Sequence, residues 1–263
     1  MDLNLKNKAV VVTGGNRGIG RGIALAFAAE GANVAIVGRD EAALAAVKSE
    51  IEALGVQAHA ISADLFTAEG CARAVDETAE TFGRLDVLVN NASTSVSGQL
   101  ETLSDDQLME RLNGKTLAYM RCCRTALPHF RKAGGGRVIC IGGGAARKAE
   151  KASLPSGLGN AAMTNFVKHF SQNVAPENIT VNVVHPPFTK TDRYPARLEA
   201  RAEQLGVSLE EAEATFVAMF PIGRIVEPSD IAPTVLFLAS PHASAITGEA
   251  ISIDGGSING VYY

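Results

Sequence analysis

Eight residues, Thr13-Gly14-Gly15-Asn16-Arg17-Gly18-Ile19-Gly20, limit the folds open to this chain more than any other stretch. They follow an apolar β-branched run, Ala9-Val10-Val11-Val12, and open a helical pattern through Ile23, Leu25, Ala26 and Phe27 that stops at Glu30-Gly31. A buried strand, a glycine turn and an amphipathic helix make the first half of a βαβ unit. Glycines at 14, 18 and 20 leave the turn without Cβ atoms. A phosphate can then approach free backbone N–H groups and the positive end of the helix. A tight turn without ligand satisfies the same glycines.

The rest of the chain repeats the alternation. Strands are expected at Asn33–Val37, Val56–Ile61, Asp86–Val89, Arg137–Ile141 and Ile179–Val184, and Thr247–Gly256 resembles a final strand and turn. Between them lie helical patterns through Leu44, Val47, Ile51 and Leu54, from Ala68 to Phe82, from Ala161 to Val174, and from Pro228 through Leu238. Ser104-Asp105-Asp106 reads as the cap of a long helix through Leu108, Leu112, Tyr119 and Leu127. Short apolar strands alternating with helices predict an α/β fold, a three-layer doubly wound parallel sheet with right-handed crossovers. No linker, repeat or low-complexity segment interrupts it, so residues 1–263 read as one domain. The register changes over about 187–221, where the helix-prone segments Ala196–Gln204 and Ser208–Phe216 form an insertion after a strand's carboxyl end. Such an insertion covers a substrate or is a surface excursion.

Composition excludes several classes. The formal net charge of −4 and the lack of any basic run give no electrostatic case for nucleic acid. No apolar stretch is long enough to span a bilayer, and Met1-Asp2-Leu3-Asn4 begins no signal peptide, so a cytoplasmic location is expected. Cys71, Cys122, Cys123 and Cys140 form no C-x-x-C, and the five histidines lack ligand spacing, so no metal is assigned.

The glycine spacing is G-x-x-x-G-x-G. With Thr13 before it and Asn90-Asn91-Ala92-Ser93 after the fourth strand, it resembles the short-chain dehydrogenase/reductase family, over nearly the whole chain from Lys8 to Gly256. The resemblance implies a Rossmann-type domain that binds a nicotinamide dinucleotide through Gly14, Asn16, Arg17, Gly18, Ile19 and Gly20. It places Asp64 with Leu65 at the adenine edge and Asn91 with Ala92 on the ribose side. Thr189 and Thr191 fall in the turn that embraces the cofactor amide and phosphates. Asp64 would equally cap the next helix. A homotetramer pairing the helices around Leu108–Leu127 and Ala161–Val174 is implied as well.

The end of the second strand selects the nucleotide. A ribose 2′-hydroxyl is usually read there by an acid, a 2′-phosphate by cations. Here the strand ends in Gly38-Arg39, and Arg17 lies in the glycine loop. Two guanidiniums and a missing carboxylate favour NADP(H) over NAD(H), because Arg holds phosphate by paired charge-assisted bonds.

At the catalytic end the resemblance fails. The family uses a serine after the fifth strand, a tyrosine thirteen residues on, a lysine four beyond that, and an upstream asparagine in a water relay. A tyrosine needs a nearby cation to exchange a proton at neutral pH. Aligned on Val138–Ile141 and Ala161-Ala162, those positions hold Gly143, Ser156 and Asn160, and the chain has no tyrosine between Tyr119 and Tyr194. Asn113 alone matches, and it could instead bond a neighbouring backbone. Pro186-Pro187 stands where the family has Pro-Gly. Asn113 and Ser156 are therefore the catalytic candidates; His185, Arg147, Lys148 and Lys151 are substitutes to weigh. Reductases of dienoyl thioesters in this family also carry Pro-Ser at the tyrosine position, but they keep the lysine.

Four functions follow. The first is an NADP(H)-dependent oxidoreductase with a non-standard proton donor, acting on a small molecule, with an anionic or thioester-bearing one among the candidates. The others are a lyase or isomerase on the same scaffold, a silent NADP(H)-binding partner subunit, and a structural member of a hetero-oligomer.

Overall fold

In the computed structural model, which describes residues 1–94, 96–149 and 151–260, the apolar runs pair as parallel strands. They are β1 (Ala9–Thr13), β2 (Asn33–Gly38), β3 (Ala58–Ser62), β4 (Val87–Asn90), β5 (Gly136–Ile141), β6 (Ile179–His185) and β7 (Ala250–Ser252). Their order across the single sheet is β3-β2-β1-β4-β5-β6-β7. The chain runs outward from β1 to β3, then returns to lay β4 on the other side of β1. That reversal opens a crevice at the carboxyl ends of β1 and β4, where open α/β sheets bind ligands.

Helices cover both faces, which is why the central strands read as continuous apolar runs. Helices α1 (Gly18–Ala29), α2 (Glu41–Glu52) and α9 (Pro228–Ala239) bury Ile23, Phe27, Leu44, Ile51, Ile231 and Val235 on one side. Helix α3 (Ala68–Phe82), the pair α4 (Asp105–Leu112) and α5 (Ala118–Ala133), and α6 (Leu154–Val174) bury Val75, Tyr119, Phe130, Met163 and Val167 on the other. Each such fully buried side chain contributes roughly 1.5–3 kcal/mol. The four cysteines are free and buried in this second layer. Among the described residues no helix is long and apolar enough to cross a membrane, and no group of His, Cys, Asp or Glu is arranged to hold a metal.

Four details differ from the sequence expectations. Strand β3 starts at Ala58 rather than Val56, and the final strand is only Ala250–Ser252. Helix α6 begins at Leu154, seven residues before Ala161, because Pro155 in its first turn is pre-set for helical φ. The long helix does start at the Ser104 cap, whose hydroxyl accepts from the Gln107 amide. It is not a regular α-helix, however: Asn113–Leu117 form a wide π turn between α4 and α5. Gly114 sits there because a Cβ would lie 2.5 Å from Thr94 and 2.8 Å from the Phe66 ring. The insertion folds as α7 (Tyr194–Leu205) and α8 (Leu209–Val217) beside the crevice, with Phe188, Tyr194 and Phe216 packed as an aromatic cluster.

Candidate active site

A cleft of about 1060 Å³ runs along the carboxyl ends of the strands. Its first half is built by the glycine turn. Gly14 and Gly18 take left-handed φ of 64° and 55°, and a Cβ on Gly20 would meet the Gly14 carbonyl oxygen at 2.2 Å. Only glycine fits that approach. Arg17, which precedes α1, offers no side-chain cap, so the first-turn amides are left to other partners. Asn91 braces the turn: its amide donates to the carbonyls of Thr13 (2.9 Å) and Gly14 (3.1 Å), while its own N–H is held by the Thr13 hydroxyl at 2.8 Å.

The structure brings Gly14, Asn16, Arg17, Gly18, Ile19, Arg39, Asp64, Leu65, Asn91, Ala92, Thr189 and Thr191 onto this one cleft, with Gly20 packed behind it. At the end of β2 the chain carries Gly38, not a carboxylate, and a Cβ there would come within 2.8 Å of the Asn16 side-chain oxygen, so Asn16 would have to move to admit one. Arg39 follows, its guanidinium 5.9 Å from the Phe66 ring centroid. Asp64 does not cap α3; that cap is Thr67, whose hydroxyl accepts from Gly70, while the Asp64 carboxylate accepts from Phe66 N–H at 3.1 Å. Thr189 turns its hydroxyl back onto the Pro187 carbonyl at 3.0 Å.

The second half of the cleft is floored by Gly142, Gly143, Gly144, Ser156 and Asn160, and walled by Arg111, Lys115, Lys148 and Pro187. Ser156 is in the first turn of α6, and Asn160 is one turn further and 3 % exposed. The Asn160 amide nitrogen lies against Gly143, where a Cβ would come within 2.9 Å, and its Oδ1 is buried without a hydrogen-bond partner.

Asn113 is not part of this floor. Its Nδ2 donates to the Phe66 carbonyl at 3.2 Å, and its Oδ1 accepts from Arg121 at 2.7 Å. Lys115, two residues further on in the same wide turn, lines the cleft instead. Lys115 Nζ donates to the carbonyls of Ile141 (2.8 Å) and Gly142 (3.3 Å) and lies 3.5 Å from the Tyr119 hydroxyl. Burial, then the Arg111 charge, lowers its pKa to about 7. Sequence reasoning missed this residue. The signal is a lysine in helical register with Tyr119, Cys122, Ala126 and Phe130, all buried.

The remaining substitutes also resolve. His185 is fully buried behind the glycines. Its Nδ1 accepts from Gly143 N–H at 3.1 Å, so Nε2 carries the proton and faces the Thr164 hydroxyl at 3.3 Å. Thr164 in turn donates to the Asn160 carbonyl at 2.7 Å. Burial first, then the charges of Arg147 and Lys115, drop the His185 pKa to about 4. It is a neutral strut at physiological pH. Arg147 turns to β7, donating to Ser252 Oγ at 3.1 Å and the Ala250 carbonyl at 2.9 Å. Lys151 is exposed and outside the cleft, whereas Lys148 lines its rim.

Comparison with known proteins agrees with this architecture. A family model described as enoyl-(acyl carrier protein) reductase matches residues 14–257. The short-chain reductase NovJ of Streptomyces niveus is 33% identical over 252 residues, covering 95% of this chain and 94% of that protein. A hydroxynaphthalene reductase-like protein of Metarhizium anisopliae is 33% identical over 259 residues, 97% of this chain and 96% of that one. Among solved structures, L-sorbose reductase from Gluconobacter frateurii, complexed with NADPH and L-sorbose, superposes with a TM-score of 0.95 at 28% identity, covering 99% of this chain and 100% of that one. On sequence and on structure alike, the chain belongs to the short-chain dehydrogenase/reductase family of oxidoreductases.

Proposed function

We propose that the protein is an NADP(H)-dependent reductase of small carbonyl compounds whose proton-transfer site departs from the family pattern. One observation carries the reading. The glycine turn, two arginines and a β2 end that carries no carboxylate share one cleft with a polar floor. Gly18 and Ile19 would take the diphosphate on the first amides of α1, with Gly14 leaving it room, and Arg17 and Arg39 the 2′-phosphate. Asp64, Leu65 and Ala92 would line the adenosine, and Thr189 and Thr191 the nicotinamide side. Bound there, the coenzyme supplies a hydride. The relatives that carry reductase names, one of them complexed with NADPH, support the same direction.

Gly143, Ser156 and Asn160 stand where the family's serine, tyrosine and lysine are expected, and none of them is a strong acid at neutral pH. That departure favours a second reading, a silent NADP(H)-binding subunit. The buried cations Arg111 and Lys115 suit an anionic or thioester substrate. Exposed Leu100, Met109, Leu117, Leu154 and Leu158 border α4 and α6 and suit a homotetramer interface. A cytoplasmic site of action fits both readings.

Calorimetric titration of the protein with NADPH and NADH, repeated on Arg39→Ala, tests the cofactor assignment. NADPH should bind more tightly, and the substitution should weaken NADPH alone by about 1.5–3 kcal/mol. Equal loss for both cofactors would reject it. Turnover of a ketone and enone panel with NADPH separates the reductase from the silent subunit.

A further inference from the structure

We propose that Lys115 is the proton donor of this cleft, delivering its ammonium proton to the oxygen of a substrate carbonyl as hydride arrives at the adjacent carbon. The inference rests on the reductase reading above and supplies the acid that Ser156 cannot be.

The geometry singles out this side chain. Lys115 is 2 % exposed, lines the cleft, and ends at the carboxyl terminus of β5, on the Ile141 and Gly142 carbonyls beside the bare Gly143. The other groups there fail on chemistry. His185 has its Nδ1 spent on the Gly143 amide. Arg111 is a guanidinium, donating to the Ser93 hydroxyl at 2.6 Å and to the Thr94 carbonyl, and a guanidinium does not release a proton in a protein. Ser156 is a neutral hydroxyl. An amine is missing from position 160, yet one enters the same pocket from the facing helix. The two helices are tied at that level by the Thr116 hydroxyl, which donates to the Gly159 carbonyl at 3.0 Å.

Lys115 can hold and release a proton without losing its place. As an ammonium it gives two N–H groups to the carbonyls and has a third, held only at 3.5 Å by the Tyr119 hydroxyl, for a substrate oxygen; as an amine it keeps two N–H groups for the carbonyls. The groups facing it are Arg111 from α4, Tyr119 from α5, Cys140 from β5 and His185 from β6. Burial and Arg111 push its pKa down, to about 7, and Cys140 opposes them weakly. Both protonation states are therefore populated near neutrality, where general acids are most effective.

The step balances. A hydride forms the new C–H bond at the carbonyl carbon while the C=O π pair moves onto oxygen. That oxygen takes a proton from Lys115 Nζ, so an N–H bond breaks and an O–H bond forms. The products are an alcohol, the oxidised coenzyme and a neutral Lys115, which regains a proton from water through the cleft.

Lys115→Met and Lys115→Arg test the assignment against the wild type. With a ketone or enone that the wild type reduces, both variants should lose at least about 100-fold in kcat while binding NADPH within threefold of wild type. The wild-type kcat should fall as pH rises above about 7, and the residual activity of Lys115→Arg should lack that limb. A purely structural or charge-holding role would leave Lys115→Arg active. An independent readout needs no coenzyme: in protein labelled at lysine Cε, one NMR resonance should titrate near pH 7 and vanish in the variants. Should Lys115→Met not fold, Lys115→Arg and the resonance decide. Activity within threefold of wild type in either variant, or titration of Lys115 near its ordinary value, overturns the inference alone. A wild type that binds NADPH but reduces nothing on the panel overturns the reductase reading, and the donor role with it.

Discussion

Asp192 accepts a hydrogen bond from the backbone N–H of Gly18 at 3.1 Å, so a carboxylate of the inserted segment rests on the first amide of helix α1. The N-terminus of a helix favours an anion, and here the chain supplies its own. A cofactor diphosphate must displace or tolerate that carboxylate. Asp192→Asn should therefore tighten NADPH binding about two- to fivefold, with the gain shrinking in high salt. Fluorescence titration at two ionic strengths measures it; weaker binding would mean that Asp192 helps to close the cleft instead.

Gly38 and Asn16 govern how the 2′ position can be re-engineered. Because a Cβ at 38 would meet Asn16 at 2.8 Å, Gly38→Asp alone should weaken both coenzymes. Adding Asn16→Gly should restore NADH binding and leave NADPH weak, by charge repulsion with the 2′-phosphate. Dissociation constants of the single and double variants for each coenzyme give the answer.

His185 should make the fold acid-sensitive. Its folded pKa of about 4 lies below the unfolded value near 6.5, so the unfolded chain binds the extra proton between those limits. Stability is then full above about pH 6.5 and falls by up to about 3 kcal/mol as pH drops to about 4. Urea unfolding of the wild type and of His185→Gln across that window should show a smaller loss in the variant.

Lys115 acts in the same sense over a higher window. Its proton is bound by the unfolded chain and released by the folded one between about pH 7 and 10.5, so folding strengthens as pH rises through that range. Relative to Lys115→Met, the wild type should gain up to about 4 kcal/mol from pH 7 to pH 10, at about 1.4 kcal/mol for each pH unit. A stability difference that stays flat with pH would show that the amine is charged throughout.

The apolar residues left outside the core predict assembly. Met109 and Leu158 are 55% and 47% exposed on α4 and α6. Leu158→Glu with Met109→Glu should convert a tetramer into smaller species by light scattering, with circular dichroism unchanged. A wild-type monomer at micromolar concentration would defeat the assignment.

Most of the sheet is legible in the sequence because its strands are buried on both faces and their apolar runs are bounded by glycine, asparagine or proline. β2, β5 and β6 begin at or within one residue of the expected starts. The glycine turn is legible for a similar reason, since steric demands there admit one residue type. The catalytic half is not. Helical periodicity fixes which face is buried only while the turn stays regular, and the wide turn at 113–117 breaks it. Asn113 is held there on Phe66 and Arg121, while Lys115 keeps the buried register of Tyr119 and Cys122. His185 has the right chemistry for an acid, but the Gly143 amide that occupies it is a tertiary contact 42 positions away in the chain. Ser156 and Asn160 do land at the cleft, because α6 is regular from Leu154 onward.

The wide turn also acts as an indexing device. A regular helix has 3.6 residues per turn, so removing a single residue between 113 and 117 would swing everything upstream by about a quarter of a revolution relative to α5. The buried Phe130–Tyr119 face could stay docked on the sheet while Arg111 and the Ser104 cap turned to new neighbours. A one-residue deletion there is thus a way to re-aim half of a cavity wall without touching the core. Relatives that differ in length at this point should differ in which side chain reaches the end of the fifth strand, whatever their overall identity.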